Sequence, residues 1–253
     1  MADGSAETRA VNDRQRQQFD GLWSESRARP LSPDRIRYRV WAKHLREPIV
    51  EVGSGDGLLA RTFSSLRILS IDQSTVGLST TPPPRAVGTM ERLPVRTGYA
   101  RTIVATEVLE HTGDPLAALE ECARIARPDG TLLLSVPTLP VAGPEALAAR
   151  WRTGAWPTAA NLATWDPYHE RRYRTEELLG QLEQTGWEPA EVIPLFGTAT
   201  TALLFLGEPI TRKVFGRTVQ LAHLGDRLDR LWTGIDRHSD VAVVSRRSRT
   251  PPL

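Results

Sequence analysis

The sequence predicts an α/β protein built on a largely parallel sheet with helices on both faces. Three observations carry this. Short apolar runs recur along the chain, each closed by glycine, proline or an acid. Amphipathic segments of helical length separate them. The first apolar run, residues 49–52, ends in the glycine cluster Gly53-Ser54-Gly55-Asp56-Gly57. Strands that alternate with helices need crossover connections, which makes the strands parallel and covers both sheet faces.

The elements follow in order. The first thirty residues are polar and arginine-rich, and read as a short surface helix around 15–23 or as a loose segment. Ser32 then caps a helix with Pro33 at its first position, and Ile36, Val40, Trp41, His44 and Leu45 share one face. Glu47-Pro48 ends that helix. A strand at 49–52, a helix at 58–66 and a second strand from 67 to 71 follow, the last closing at Asp72. Residues 80–84 form a proline-rich loop. Strands are predicted at 86–90 and 100–106. A helix at 115–126 carries Leu116, Leu119, Cys122 and Ile125 on its apolar face. Pro128-Asp129-Gly130 turns the chain into a fifth strand, 131–136.

After Pro137 the rhythm breaks. Residues 137–173 hold Trp151, Trp156, Trp165, Tyr168 and Tyr173. The stretch is long for a plain connection, which predicts a helical, aromatic lid insertion. Its tryptophans either line an acceptor pocket or pack the insertion onto the sheet. Thr175 caps a helix at 176–185 that ends at Gly186, a sixth strand spans 191–195, and residues 198–235 read as mainly helical. The apolar positions between 198 and 224 would cover the sheet, make a homodimer contact or rest on a membrane surface. A last strand runs from 241 to 245. The expected organisation is a single domain over residues 1–253, with a polar segment at 1–30, a cofactor-binding core at 48–137 and substrate-side insertions at 137–173 and 196–236.

Composition narrows the setting. A formal net charge of +2 on 253 residues gives no electrostatic reason to expect a nucleic acid partner. Cys122 is the only cysteine, which suits a reducing, cytoplasmic compartment. Charges throughout the first twenty residues leave no apolar signal-peptide core. The longest apolar stretch, around 202–206, is far short of the roughly 20 residues a transmembrane helix needs.

The glycine cluster is the strongest chemical signal. Its spacing is G-x-G-x-G, with the acid Glu51 two residues upstream. Leu58 stands where the dinucleotide fingerprint needs its third glycine, which argues against a nicotinamide oxidoreductase. Glycines at a strand end let the backbone turn tightly and approach a ligand, or simply make a turn. Asp72 ends the next strand, where a carboxylate can accept hydrogen bonds from both hydroxyls of a ribose. Met90 would lie against an adenine ring or in the core.

Four segments together resemble the class I S-adenosylmethionine-dependent methyltransferases, the large family that includes ubiquinone and menaquinone biosynthetic enzymes. They are Glu51-Val52-Gly53-Ser54-Gly55-Asp56-Gly57, Ser70-Ile71-Asp72, Met90-Glu91-Arg92-Leu93-Pro94-Val95, and Glu107-Val108-Leu109-Glu110-His111 followed by Asp114-Pro115. The turn Ala126 to Leu132 and the segment His169-Glu170-Arg171-Arg172-Tyr173 are also similar to that family. The resemblance implies a Rossmann-like seven-stranded sheet with its last strand antiparallel. It implies S-adenosylmethionine across the carboxyl ends of strands one to four, with Glu51 beside the methionine part, Asp72 on the ribose and Met90 on the adenine. The implied cofactor-binding set is Glu51, Gly53, Ser54, Gly55, Gly57, Asp72, Gln73, Thr89, Met90, Glu91, Thr106 and Glu107. Thr89 stands where many relatives carry an Asp that contacts the adenine amino group.

Methyl transfer from a sulfonium is a direct displacement, so the protein chiefly aligns nucleophile, methyl and sulfur. A base is needed only where the nucleophile carries a proton. His111, just after the fourth strand, and His169, in the aromatic-rich insertion, are the candidate catalytic residues. Each also reads as an ordinary loop or helix-start residue. Glu107 and Glu110 would orient cofactor or substrate. No zinc-type spacing is present and no metal ligand is assigned; a metal-assisted O-methyltransferase stays open, without support from the spacing. The expected acceptor is a small molecule, methylated on oxygen, nitrogen or carbon. The alternatives are an RNA or protein methyltransferase and a non-catalytic cofactor-binding module. Against the amino-methylating subclass, the loop after the fourth strand reads Thr106-Glu107-Val108-Leu109 rather than Asn/Asp-Pro-Pro-Tyr.

Overall fold

The computed structural model describes residues 2–25, 32–141, 143–166, 169–204, 213, 221–231 and 238–248. Tyr168, the side chains of Ser32 and Pro33, and most of the expected helical stretch between 205 and 220 lie outside the described residues.

The chain forms α1 (Ala2–Glu25), α2 (Ser32–Ala42), β1 (Ile49–Val52), α3 (Leu58–Thr62), β2 (Ile68–Asp72), α4 (Thr75–Thr80), β3 (Arg85–Val87), β4 (Ala100–Thr106), α5 (Pro115–Ile125) and β5 (Ala126–Pro137). It continues with α6 (Gly143–Thr153), α7 (Leu162–Trp165), α8 (Thr175–Gln184), β6 (Trp187–Leu195), α9 (Thr198–Ala202), α10 (Ala222–Leu231) and β7 (Asp240–Arg247). One seven-stranded sheet runs β3-β2-β1-β4-β5-β7-β6. The pairs among the first five strands are parallel, and β7 runs antiparallel to both β5 and β6. The α/β class and the antiparallel last strand match the expectation.

The strand order reverses direction beside β1. Chain connections leave β1 toward β2 on one side and reach β4 on the other, which opens a crevice at their carboxyl ends, where open α/β sheets take ligands. The alternation of β5 shows how the sheet is sealed. Leu132, Leu134 and Val136 face one apolar layer with Leu119, Ile125, Leu178 and Trp187. Leu133 faces the other, with Ile36, Trp41, Leu59 and Ala242. Side chains two apart share a face, so one strand feeds both layers.

Local side chains fix the element boundaries, some of them away from expectation. Asp114 caps α5, its carboxylate accepting from Ala117 N at 3.0 Å with Pro115 in the first turn. Ser74 caps the short α4, which the sequence reading passed over in favour of the proline-rich loop, and accepts from Gly77 N at 3.0 Å. Thr175 is the first residue of α8 rather than its cap; Arg174 holds the cap position with no side-chain bond. The ladder of β5 on β4 slips between Ala100 and Thr102, so the 128–130 turn is taken up as an irregularity at the start of the strand. The amino-terminal segment is a 24-residue helix, much longer than the short one expected. It packs on α4 and on the 3₁₀ turn Leu109–His111.

The aromatic insertion is only partly a packing element. Trp165 is buried with Val141 and Ala149 in a small satellite core. Trp151 and Trp156 are 89% and 52% exposed, and neither lines the cavity beside the glycine loop.

Trp187 is one of the large side chains that join the layers. It is 1% exposed, and its indole N–H donates to Leu119 O at 3.1 Å, joining β6 to α5. Trp187→Ala should cost about 3–5 kcal/mol in urea unfolding. Trp187→Phe should cost clearly less, losing about 1 kcal/mol for the bond plus a smaller packing loss.

Candidate cofactor and acceptor site

The site begins at the carboxyl end of β1. Gly53 adopts φ 70° and Gly57 φ 79°, the left-handed region that favours glycine. The space is as restrictive as the angle. A Cβ on Gly53 would sit 2.2 Å from a methyl of Val108, and one on Gly57 would sit 2.9 Å from the Thr81 backbone. Gly53 N and Ser54 N both donate to Ile71 O, at 2.8 and 3.1 Å, which folds the loop back onto β2.

Asp72 at the end of β2 fixes the loop from the other side. Its carboxylate accepts from Gly55 N and from Ser74 N, each at 2.7 Å. Two oxygens offer about four acceptor positions, and with the Gln73 N–H also acting on the carboxylate there is still room for a ligand. Asp72 is 8% exposed; burial raises its pKa, against the opposing pull of the backbone N–H donors. Glu51 is more deeply placed. Burial pushes its carboxyl up to about 8, the Ser70 hydroxyl bond at 3.0 Å opposes the shift, and Asp72 and Asp56 add to it. The site therefore presents a carboxyl that waits for a cation.

These groups border a cavity of about 380 Å³. Glu51, Gly53, Ser54, Gly55, Asp72, Gln73, Thr89, Met90, Glu91, Thr106 and Glu107 all line it. Gly57 does not, and acts through the turn. Met90 is 2% exposed and belongs to the core as well as the cavity wall. The Thr106 hydroxyl accepts from Trp41 Nε1 at 3.1 Å, which anchors the end of β4 to α2.

Sequence reasoning missed the groups that α1 and α2 bring. Asn12, Phe19, Asp34, Arg37 and Tyr38 also line the cavity. Arg37 is the informative one. It is buried on the apolar face of α2, 3.0 Å from Glu107 and in contact with Asp240 on β7. Burial alone would lower its pKa, but Glu107, Asp240 and Asp34 outweigh that and raise it. Glu107 sits at φ 54° and also accepts from Ser135 Oγ at 2.7 Å. A charged residue inside the apolar stripe of α2 was the available signal.

The structure brings the two candidate histidines together. Their rings lie 5.1 Å apart. His111 lines the cavity and meets the edge of Phe19, 5.0 Å between centroids. Burial, reinforced by the nearby His169, pushes its pKa down to about 3, so it is neutral at physiological pH and a poor proton carrier there. His169 faces Asp166, which lies 2.8 Å from its Nδ1. Asp166 also accepts from Arg172, which reaches Glu145 at 2.7 Å. Glu110 completes the group. It is fully buried, and burial followed by repulsion from Glu107 raises its pKa well above normal. Glu110, His111 and His169, which no ligand spacing in the sequence joins, place ligand atoms within 4.8 Å of one another.

Comparison with known proteins fits this geometry. A methyltransferase-domain family model matches residues 23–192. A Mycolicibacterium smegmatis protein, described as a probable S-adenosylmethionine-dependent methyltransferase, is 28% identical over 163 residues. That match covers 62% of this chain and 58% of the relative, so it spans little more than half of the relative's length. Among solved structures, an S-adenosylmethionine-dependent methyltransferase from Mesorhizobium loti superposes with TM-score 0.57 at 17% identity, over 83% of this chain and 97% of that one. Haemonchus contortus phosphoethanolamine N-methyltransferase 2, in complex with S-adenosyl-L-methionine, gives TM-score 0.57 at 14% identity, over 86% of this chain and 54% of that one. The structural likenesses establish the fold.

The state of Glu51 is open to measurement. With its carboxyl raised from 4.5 to about 8, the folded chain binds more protons than the unfolded one between those values, so stability falls as pH rises through that window. Glu51→Gln removes this contribution. The variant should differ from wild type by less than about 1 kcal/mol at pH 5 and be more stable by roughly 4–5 kcal/mol at pH 9. Urea unfolding of both proteins across that range checks it, and equal pH slopes would contradict the assignment.

Proposed function

This chain belongs to the class I S-adenosylmethionine-dependent methyltransferase family, and on that premise we propose that it transfers the methyl group of S-adenosylmethionine to a small-molecule acceptor. The observation that carries the reading is the cavity bordered by the glycine loop, Glu51 and Asp72. Each part of the cofactor meets a suitable group there. The loop glycines let the backbone lie against the methionine portion. Glu51 ionises when the cofactor's α-ammonium enters beside it. The free acceptor positions of Asp72 take the ribose hydroxyls. Met90 and Thr89 border the place for the adenine, with the Thr89 hydroxyl as the polar group where an acid is common in relatives.

The chemistry asks little covalent work of the protein. An acceptor lone pair forms a bond to the methyl carbon as the methyl–sulfur bond breaks, and S-adenosylhomocysteine leaves. Holding the two partners in line supplies most of the acceleration. The acceptor would enter from the side of Phe19, Val108, His111 and Thr112, which border the same cavity. Its size and the near-neutral net charge of +2 favour a small acceptor over a nucleic acid chain.

Calorimetric titration with S-adenosylmethionine and S-adenosylhomocysteine should give micromolar binding. Asp72→Ala should weaken it by roughly a hundredfold, about 3 kcal/mol, as charge-assisted bonds are lost. Circular dichroism should confirm the fold of the variant. Labelled cofactor offered with small-molecule extracts, total RNA and total protein then separates acceptor classes. Label entering RNA or protein alone would overturn the small-molecule reading, and absence of cofactor binding at millimolar ligand would overturn methyl transfer.

A further inference from the structure

Three side chains from two distant segments converge at the edge of the cavity. Glu110 and His111 come from the 3₁₀ turn after β4, and His169 from the segment leading into α8. Glu110 Oε1 lies 3.7 Å from His111 Nε2 and 3.9 Å from His169 Nε2. These separations are too long for hydrogen bonds. They fall within the spacing of atoms sharing one ion, since metal–ligand bonds of about 2.0–2.2 Å put ligand atoms roughly 3–4 Å apart.

The surroundings favour a cation. Glu110 is 0% exposed, and apart from its own backbone N–H its carboxylate meets no hydrogen-bond donor among the described residues. A carboxylate so placed costs several kcal/mol unless a proton or a positive charge meets it. The His169 ring is preset. Asp166 holds its Nδ1 side at 2.8 Å, which turns Nε2 toward Glu110, and Arg172 holds Asp166 in turn. Outer carboxylates orient metal-binding histidines in this way. His111 lines the cavity, so an ion beside it has an open side toward the acceptor.

We propose that Glu110, His111 and His169 form a site for one divalent transition metal, which binds a hydroxyl oxygen of the acceptor. Two imidazoles and one carboxylate with open positions suit iron, cobalt, zinc or manganese. Resting on the methyl-transfer reading, this makes the acceptor an alcohol or phenol. The ion lowers the pKa of the bound hydroxyl. Its proton passes to water, the oxygen forms a bond to the methyl carbon, and the methyl–sulfur bond breaks. The products are a methyl ether and S-adenosylhomocysteine.

The full chain, freed of metal by chelator, should be titrated with Co²⁺ while its visible spectrum is recorded, with Mn²⁺ and Zn²⁺ as competitors. One Co²⁺ per chain with a histidine-type absorption band is expected. Glu110→Gln and His169→Ala should each weaken it by at least about tenfold, with S-adenosylhomocysteine affinity kept in both. Failure to bind any of the three metals at millimolar concentration, in a chain that binds S-adenosylhomocysteine, overturns the site and leaves methyl transfer standing. Metal binding that survives both substitutions overturns the ligand assignment. Metal binding without cofactor binding supports the site and sinks methyl transfer.

Discussion

The contact on which the cofactor end of the molecule depends is the carboxylate of Asp72 reaching back to Gly55 N and forward to Ser74 N. It joins the loop after β1 to the turn after β2. Two buried backbone donors are satisfied at once, where an unpaired one would cost about 1–3 kcal/mol. The same carboxylate borders the cavity, so one residue both shapes the loop and offers itself to the ligand. The parallel pairing of β1 with β2 makes this reach natural, since it brings the two carboxyl ends side by side.

A second tie joins α2 to β4 and β7. Arg37 on α2 gathers Glu107 from the end of β4 and Asp240 from the start of β7. Breaking a buried pair by removing one partner is far more costly than its net worth, because an uncompensated charge is left behind. The three elements are therefore committed to one arrangement, and Glu107, which adopts φ 54°, is held where the chain turns toward Glu110 and His111.

The parts legible in the sequence were those with local causes. The bounds of β4 were read directly, as was the start of α5, because Asp114-Pro115 is a cap followed by a first-turn proline. The glycine loop and Asp72 were found from spacing, and eleven of the twelve residues assigned to the cofactor line one cavity. What depends on assembly was not legible. Nothing in the polar, arginine-rich start of the chain says that Asn12 and Phe19 face the cavity, since that follows from α1 packing on α4. The Glu110–His111–His169 group joins residues far apart in sequence, and no ligand spacing marks it. The tryptophans misled for a related reason: aromatic content signals burial on average, but Trp151 is turned to solvent while Trp165 alone packs inward.

The setting of α1 has a kinetic meaning. It contributes Asn12 and Phe19 to the cavity wall, and apart from the edge contact of Phe19 with His111 its side-chain ties to other elements are mainly polar: Asn12 to Glu91, Gln15 to Glu170, Asp20 to Ser74. Net, such bonds are worth about 1 kcal/mol each, because water replaces them readily. A wall fastened by exchangeable bonds can lift without unsealing the core layers beneath the sheet. Were cofactor to be exchanged through such a local opening of one helix, the lifetime of the bound product would follow how firmly that helix is fastened.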